Sequence, residues 1–221
     1  MRIVVPPAPG PVKPFRGEMV QQVYIAGGMV SMFFELDNVG EEPVTFLNTL
    51  YDYEPDQLYT PAVRLEWKEG GNAVYTRAGR FFPSPAIVQP GQKAVYIMGG
   101  QRVTGAGSPA DLVTHIKYCP TRGMDDVPAI PLRVSDLQWT ADGADGVTVS
   151  GLLAETSGTR RNKAPTIGVA FFDASDALVG AVVATSSGGP VPANGSRPFA
   201  LSGSGVDTAA AVRAVAYAFI P

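Results

Sequence analysis

Apolar and other residues alternate with a period of two along most of this chain. Residues 29–36 are an example, because Val30, Met32, Phe34 and Leu36 occupy every second position. Successive side chains of a strand point to opposite faces of a sheet, so this alternation predicts β-strands. The predicted strands are 29–36, 44–51, 63–67, 73–76, 93–98, 113–119, 134–139, 147–153, 166–172, 177–183, 197–201 and 212–220.

Turn-forming residues separate these stretches. Residues 69–72, 142–143 and 187–190 combine Gly with Asn, Asp, Ser or Pro, and they predict tight turns. Helical candidates are limited to single turns at 108–111 and 207–211. The 25 glycines and 20 prolines among 221 residues exceed average globular usage and agree with many turns. The pattern therefore predicts an all-β, antiparallel sandwich rather than a βαβ fold.

The two halves of the chain repeat one order of elements. Each half has a β-rich strand, a polar turn, a strand ending in an aromatic residue and Asp, a Pro–Gly turn and a closing alternating strand. The matching segments are 30–36 and 147–153, 46–52 and 167–173, 89–96 and 191–199, and 115–118 and 214–217. Two copies of a unit of roughly 100 residues would account for the length of the chain.

Three stretches of the second half carry a family resemblance: 149–153, 169–174 and 192–199. They resemble the FxLYD family of bacterial immunoglobulin-like modules, and residues 20–120 resemble it more loosely. The family pattern usually has an asparagine after its first strand, where this chain has Asn38 in one half and Glu155 or Thr156 in the other. The resemblance implies two tandem immunoglobulin-like antiparallel β-sandwiches on a bacterial cell envelope, with no enzymatic activity in the motif itself.

Four segments follow from the repeat. Residues 1–18 are predicted to be a Pro-rich leader, which is either a stiff spacer or a disordered terminus. Residues 19–122 are predicted to form a β-sandwich module with an inserted aromatic hairpin. Residues 123–131 would be a linker, and residues 132–221 the FxLYD-like β-sandwich module.

The net charge and the cysteine content limit the classes of partner that we expect. The net charge is −3, and the densest basic run is 160–163, so we expect no nucleic-acid partner. The single cysteine, Cys119, cannot form an internal disulfide or supply a cluster site. No apolar run approaches the roughly 20 residues that cross a membrane, so we expect no direct membrane insertion. The expected location is extracytoplasmic, in the cell envelope or secreted, with neither an anchor nor a signal in this chain.

No catalytic arrangement is evident in the sequence. His115 is the only histidine, and Cys119 lies about 13 Å further along a predicted strand, too far for a direct hydrogen bond. Gly99 and Gly100 lack the following Lys and Ser or Thr of a phosphate-binding loop. The carboxylates at 125–126 and 142–145 are explained by turns, although an opportunistic calcium site in the second run stays an alternative. Residues 173–176 are likewise predicted to form a hairpin turn. We expect no catalytic residue, no cofactor and no metal site.

Aromatic residues give the one candidate binding surface. The first half is longer than the second between its aromatic–Asp and its Pro–Gly turn, and the extra length includes the predicted hairpin 63–76. The predicted ligand-binding residues are Trp67, Tyr75, Tyr59 and Tyr53. Aromatic side chains anchor many binding surfaces and stack on sugars. The alternative is that they fill an enlarged core or the cleft between the two modules.

The resulting functional prediction is a non-catalytic cell-envelope binding or adhesion protein with a protein or glycan partner on the cell surface. A structural subunit of a surface or virion assembly is the first alternative, because exposed edge strands favour self-assembly. A polysaccharide-directed hydrolase is the second alternative.

Overall fold

Strands are the only regular secondary structure that we find in the described part of the chain. The protein is therefore all-β, as predicted, and its described strand pairs are antiparallel. A computed structural model describes residues 2–4, 17–41, 44–45, 63–69, 72–78, 87–102, 112–116, 119–120 and 130–220.

Sixteen strands follow one another in these residues. The N-terminal half contributes β1 (Arg2–Val4), β2 (Gly17–Ala26), β3 (Met29–Asn38), β4 (Val44–Thr45), β5 (Val63–Glu69), β6 (Asn72–Ala78), β7 (Ile87–Val88), β8 (Lys93–Arg102), β9 (Leu112–Ile116) and β10 (Cys119–Pro120). The C-terminal half contributes β11 (Ile130–Asp142), β12 (Gly146–Ala154), β13 (Thr166–Phe172), β14 (Leu178–Thr185), β15 (Ser196–Ser204) and β16 (Arg213–Ile220).

The strands form sheets of different size. The largest has six strands in the order β14-β13-β16-β11-β12-β15, and another has the order β1-β2-β3-β8. The smaller sheets have the orders β6-β5-β9 and β10-β4-β7. The alternating pattern did not predict β1 and β2, although β2 pairs with β1 and lies beside β3.

The chain divides into two compact units. One consists of Met1–Gln21, Phe34–Tyr96 and Val103–Val127, and the other of Gln22–Phe33, Ile97–Arg102 and Pro128–Pro221. The second unit thus contains two segments from the N-terminal half of the chain. The predicted linker at 123–131 lies mostly outside the described residues, so the predicted module boundaries stay a prediction.

The six-stranded sheet curls into a half-barrel, and β11 is the strand at which it changes partners. Residues Ile130 to Leu132 pair with β16, whereas the following residues pair with β12. A register shift between Ser135 and Gln138 marks a bulge, and Asp136 within it has a φ of 53°. A bulge bends a strand and increases its twist, which allows the two halves of β11 to serve different neighbours.

The inner face of this half-barrel is a continuous apolar core. Strand β12 contributes Val147, Val149 and Leu153, all fully buried, and the ring of Trp139 packs edge-on against Phe171 at 5.9 Å. Full burial of a side chain of this kind stabilises a fold by about 1.5–3 kcal/mol. The remaining buried members of the core are Ile130, Leu132, Ile167, Val169, Val179, Val182, Val191, Phe199, Leu201, Val206, Ala218 and Ile220.

Strand β13 is buried on both faces. Its odd-numbered residues point into the half-barrel core, and Gly168, Ala170 and Phe172 on the opposite face are also buried. The two N-terminal segments of the unit cover this second face. Phe33 packs edge-on against Phe172 with ring centroids 5.1 Å apart, and a Cβ added at Gly168 would lie 3.3 Å from Ile97. The sheet therefore needs these segments to exclude water from its outer side.

Polar contacts fix the same segments to the turn between β13 and β14. The side-chain amide of Gln22 donates to the Asp176 carbonyl at 3.2 Å and accepts from the Leu178 N–H at 2.7 Å. Arg213 forms an ion pair with Asp176, and its guanidinium lies 4.2 Å from the centre of the Phe172 ring. The Gln22 amide thus satisfies two backbone groups beside the start of edge strand β14.

Gly99 lies where two backbones approach closely. A Cβ added at Gly99 would lie 2.5 Å from the Val183 nitrogen, and one added at Gly100 would lie 2.6 Å from the Ser204 carbonyl oxygen. Glycine is therefore required for packing at these positions, because β8 reaches the backbones of β14 and β15 there.

We expect Gly99→Ala to destabilise the protein by about 1–3 kcal/mol, because the added methyl group forces two packed backbones apart. Thermal denaturation followed by circular dichroism measures the change. Ser196→Ala, at an exposed position of β15, is the control and should leave the melting temperature unchanged. A melting temperature of Gly99→Ala equal to that of the wild type would contradict the close packing of β8 on β14.

Candidate functional site

The predicted aromatic hairpin is present as strands β5 and β6. Glu69 pairs with Asn72 across the predicted turn, so the hairpin and its position are confirmed. Trp67 and Tyr75 are direct partners in its register. Directly opposed positions of an antiparallel pair share one face of the ladder, at Cβ separations of about 4.5–5.5 Å. The two aromatic residues with the strongest claim to ligand binding are therefore brought together by the backbone.

A register irregularity lies directly after Trp67, between Trp67 and Lys68. Such bulges re-aim side chains and often occur beside functional sites. The other edge of β5 pairs with β9, where Trp67 is opposite Leu112. Tyr53 and Tyr59, the remaining predicted ligand-binding residues, lie outside the described residues.

His115 and Cys119 lie on different strands. His115 is in β9, opposite Arg64 of β5, whereas Cys119 is in β10, opposite Thr45 of β4. The prediction of one strand over 113–119 was therefore wrong, because the strand ends at Ile116 and the chain enters another sheet. His115 and Cys119 therefore lie in different sheets, and the predicted spacing of about 13 Å along one strand does not apply.

Glu155 closes the loop that follows β12. The residue is 1% exposed, and both of its carboxylate oxygens accept hydrogen bonds. One oxygen accepts from the Ser157 N–H at 2.6 Å and from the Ser157 hydroxyl. The other accepts from the N–H groups of Gly158 at 3.0 Å and Asn194 at 2.9 Å. This carboxylate thus connects two loops of the six-stranded unit.

These hydrogen bonds hold the pKa of Glu155 at about 2. The Ser157 hydroxyl lowers the pKa most, followed by the N–H of Asn194, while desolvation raises it. Each of these donors favours the charged form of the carboxyl. Glu155 therefore remains ionised through the acid range in the folded protein.

Asn38 holds the corresponding place at the end of β3. It is fully buried, and its side-chain oxygen accepts the Gly40 N–H at 3.0 Å, two residues further on. Its backbone N–H donates to the Gln92 carbonyl at 2.9 Å, in the Pro–Gly turn. Glu155 repeats both features, because its side chain accepts the N–H two residues on and its backbone N–H donates to the Gly195 carbonyl at 2.9 Å.

The strands around these two residues also correspond. Asn38 lies in the arrangement β2-β3-β8, and Glu155 follows the middle strand of the arrangement β11-β12-β15. In each case a hairpin is extended by the strand that follows the Pro–Gly turn. We call each set a three-strand motif. The three-strand motifs show that the sequence repeat corresponds to a repeated local structure. In the second half, Glu155 rather than Thr156 takes the place of Asn38.

Asp173 directly follows the buried strand β13, at the aromatic–Asp strand end that the sequence predicts. Its carboxylate oxygen accepts from the Ser175 N–H at 2.8 Å, the Ser175 hydroxyl at 2.7 Å and the Ala177 N–H at 2.9 Å. The Ser175 hydroxyl, and next the Ala177 N–H, lower the pKa of Asp173. The predicted hairpin turn after the aromatic strand end is confirmed.

Two observations on the described ranges concern metal ions and membranes. In that part of the chain we find no group of three or more His, Cys, Asp and Glu residues placed to hold a metal ion. The same ranges contain no helix long and apolar enough to cross a membrane. The carboxylates at 125–126 lie outside the described residues.

Comparison with protein-family models, curated proteins and solved structures found no match. The resemblance to the FxLYD family therefore stays a prediction.

We expect Glu155→Gln to lower stability at neutral pH and to flatten the acid dependence of stability. The folded pKa of about 2 lies below the ordinary value of 4.5. The ionised carboxylate thus stabilises the fold above pH 4.5, and this contribution is lost as the pH falls towards 2. Glutamine keeps one acceptor oxygen but loses the charge.

Urea midpoints at pH 7, 5, 4 and 3 measure this effect. Thr156→Gln places the same new side chain at the exposed neighbour and should retain the pH dependence of the wild type. If Glu155→Gln and the wild type lose stability in parallel between pH 5 and pH 3, the carboxylate does not have the assigned role.

Proposed function

We propose that this protein is a non-catalytic binding or adhesion protein of the cell envelope, composed of two immunoglobulin-like β-sandwich modules in tandem. Its contact surface is the hairpin β5–β6, and its partner is a protein or glycan of the cell surface. The chain acts outside the cytoplasm and requires no cofactor.

The tandem arrangement is supported by the two three-strand motifs. Both join a hairpin to the strand after a Pro–Gly turn, and both use a buried side-chain acceptor, Asn38 or Glu155, at the same point. Strand propensity alone does not account for such a shared network, because the network requires an acceptor, a turn and a strand end in one order. Duplication of one sandwich unit accounts for it most simply.

The register of Trp67 with Tyr75 is the single observation that supports the contact surface. A directly opposed Trp–Tyr pair concentrates aromatic surface at one position of a short hairpin. Aromatic residues of this type contribute most of the binding energy in many interfaces, and their ring faces stack on sugar rings. A bulge immediately beyond Trp67 is also a common feature beside binding sites.

A structural assembly role is the second candidate, and the order of the six-stranded sheet favours it. β14 and β15 end this sheet, so each has one edge without a strand partner in the sheet order. Unpaired strand edges are templates for pairing with another chain, here along the parts of β14 and β15 that Gly99 and Gly100 of β8 do not contact. Sedimentation analysis over a concentration series separates the two functions, because a concentration-independent monomer excludes assembly through these edges.

We expect the purified chain to bind a member of an array of glycans, peptidoglycan fragments and extracellular matrix proteins, and Trp67→Ala to weaken this binding at least tenfold. Loss of a central aromatic anchor commonly costs about 2 kcal/mol or more, which corresponds to this change. Surface plasmon resonance with the ligand identified on the array measures the affinity.

The second tryptophan gives a matched control. The chain has two tryptophans, so Trp139→Phe leaves Trp67 as the sole indole while an aromatic ring remains against Phe171. This variant should bind normally, and its fluorescence should change on addition of the ligand. Normal binding by a folded Trp67→Ala, or unchanged fluorescence of Trp67 on saturation, would exclude the hairpin as the contact surface.

A further inference from the structure

The topology of the six-stranded sheet gathers two loops at one end. Ala154 at the end of β12 pairs with Ser196 at the start of β15, and Thr166 at the start of β13 pairs with Thr185 at the end of β14. The loops 155–165 and 186–195 leave from these four strand ends. They therefore lie at the same end of the half-barrel.

Charge is separated along this sheet. One end, which we call the basic end, holds five cationic residues and the carboxylate of Glu155, and Asp136 lies in the β11 bulge three residues beyond Arg133. The cationic residues of the basic end are Arg133, Arg160, Arg161, Lys163 and Arg197. The opposite end holds five carboxylates, of Asp142, Asp145, Asp173, Asp176 and Asp207, together with Arg213.

Part of the positive charge at the basic end is accessible to a ligand. Arg133, Arg160 and Lys163 are exposed. Glu155 cannot pair with all of these cations, because both of its oxygens already accept hydrogen bonds from Ser157, Gly158 and Asn194. The field at this end therefore attracts anions.

Arg197 lies at the basic end on β15, the last strand of the sheet order, and points inward. Phe199 and Leu201, which follow it at every second position of β15, belong to the core. Successive residues of a strand alternate between faces, so Arg197 lies on the same inner face. It extends this row of core residues to the end of the strand.

The guanidinium of Arg197 is incompletely paired. Its Nη2 donates to the Ser186 hydroxyl at 2.7 Å. Its Nε and Nη1 are buried and have no hydrogen-bond partner in the described part of the chain. A buried N–H group without an acceptor is costly, and oxyanions are its strongest partners because they accept charge-assisted hydrogen bonds.

The turn over this guanidinium is formed by Ser187 and Gly188. The Nη1 and Cζ atoms of Arg197 lie so close to Gly188 that a side chain at this position would overlap them. Gly189 follows with a φ of 80°. Two successive glycines allow the turn to change conformation with little steric cost, and a small displacement would expose the unpaired nitrogens.

We infer that the basic end is an oxyanion-binding site, in which a phosphate, sulfate or carboxylate group displaces the turn at Gly188 and accepts hydrogen bonds from Arg197. Ser186 holds the guanidinium in place through Nη2. The exposed cations Arg133, Arg160 and Lys163 attract the anion without forming the buried contact. This site is separate from the aromatic hairpin and does not depend on the function proposed for it.

Isothermal titration of the full chain with inorganic phosphate, sulfate and acetate, at ionic strength matched with chloride, tests the site. We expect saturable binding of at least one of these anions and at least tenfold weaker binding by Arg197→Gln. The three anions distinguish a tetrahedral group from a carboxylate. Arg213→Gln, which makes the same charge change at the opposite end of the sheet, should bind as the wild type does.

Nuclear magnetic resonance of the wild type provides a test that needs no variant. The bound anion should shift the Nε–H resonance of Arg197, while chloride at the same ionic strength should not. Absence of saturable binding by all three anions overturns the inference. So does binding that is unchanged in a folded Arg197→Gln, or an Nε–H resonance that does not move on saturation.

Discussion

The burial of β13 on both faces is the constraint on which the larger unit depends. A strand inside a half-barrel needs one apolar face, but Gly168, Ala170 and Phe172 also bury the other. These residues would expose an apolar strip to water without the segments Gln22–Phe33 and Ile97–Arg102. The small residues on this outer face permit the close approach, and Phe172 fixes it through its contact with Phe33.

The close packing has consequences for the neighbouring strands. Gly99 and Gly100 bring β8 against the backbones of β14 and β15, the two strands that end the six-stranded sheet. The half-barrel is therefore supported where its edges would otherwise be least constrained. At the end of the sheet where loops 155–165 and 186–195 leave, Glu155 holds these two loops together, and Arg197 lies beneath the second one.

Much of the fold could be predicted from the sequence, because period-two alternation and Gly, Pro, Asn and Asp turns are local signals. The hairpin β5–β6 and the turn at Asp173 are confirmed for this reason. The prediction missed β2, whose central Gln21 and Gln22 interrupt the apolar alternation. It also joined β9 and β10, since the change of sheet after Ile116 has no local signal.

The candidate sites also differ in how far they could be predicted from the sequence. Trp67 and Tyr75 could be predicted as members of one hairpin, but their direct opposition could not, because the two-residue turn alone would place Trp67 opposite Val74 and a bulge shifts the register. The role of Glu155 was visible only as a substitution at a repeated position, since its four donors come from two loops. Arg197 had no signal in the sequence, because the lack of partners around a buried nitrogen is a property of tertiary packing.

The most direct test of the two-sided burial of β13 is the stability of the isolated segment 128–221, measured by urea denaturation and compared with the full chain. This segment retains all six strands of the largest sheet but lacks the residues that cover Gly168, Ala170 and Phe172. We expect it to aggregate or to unfold at a much lower urea concentration than the full chain. Cooperative unfolding at the same midpoint as the full chain would show that the half-barrel is complete without the N-terminal segments.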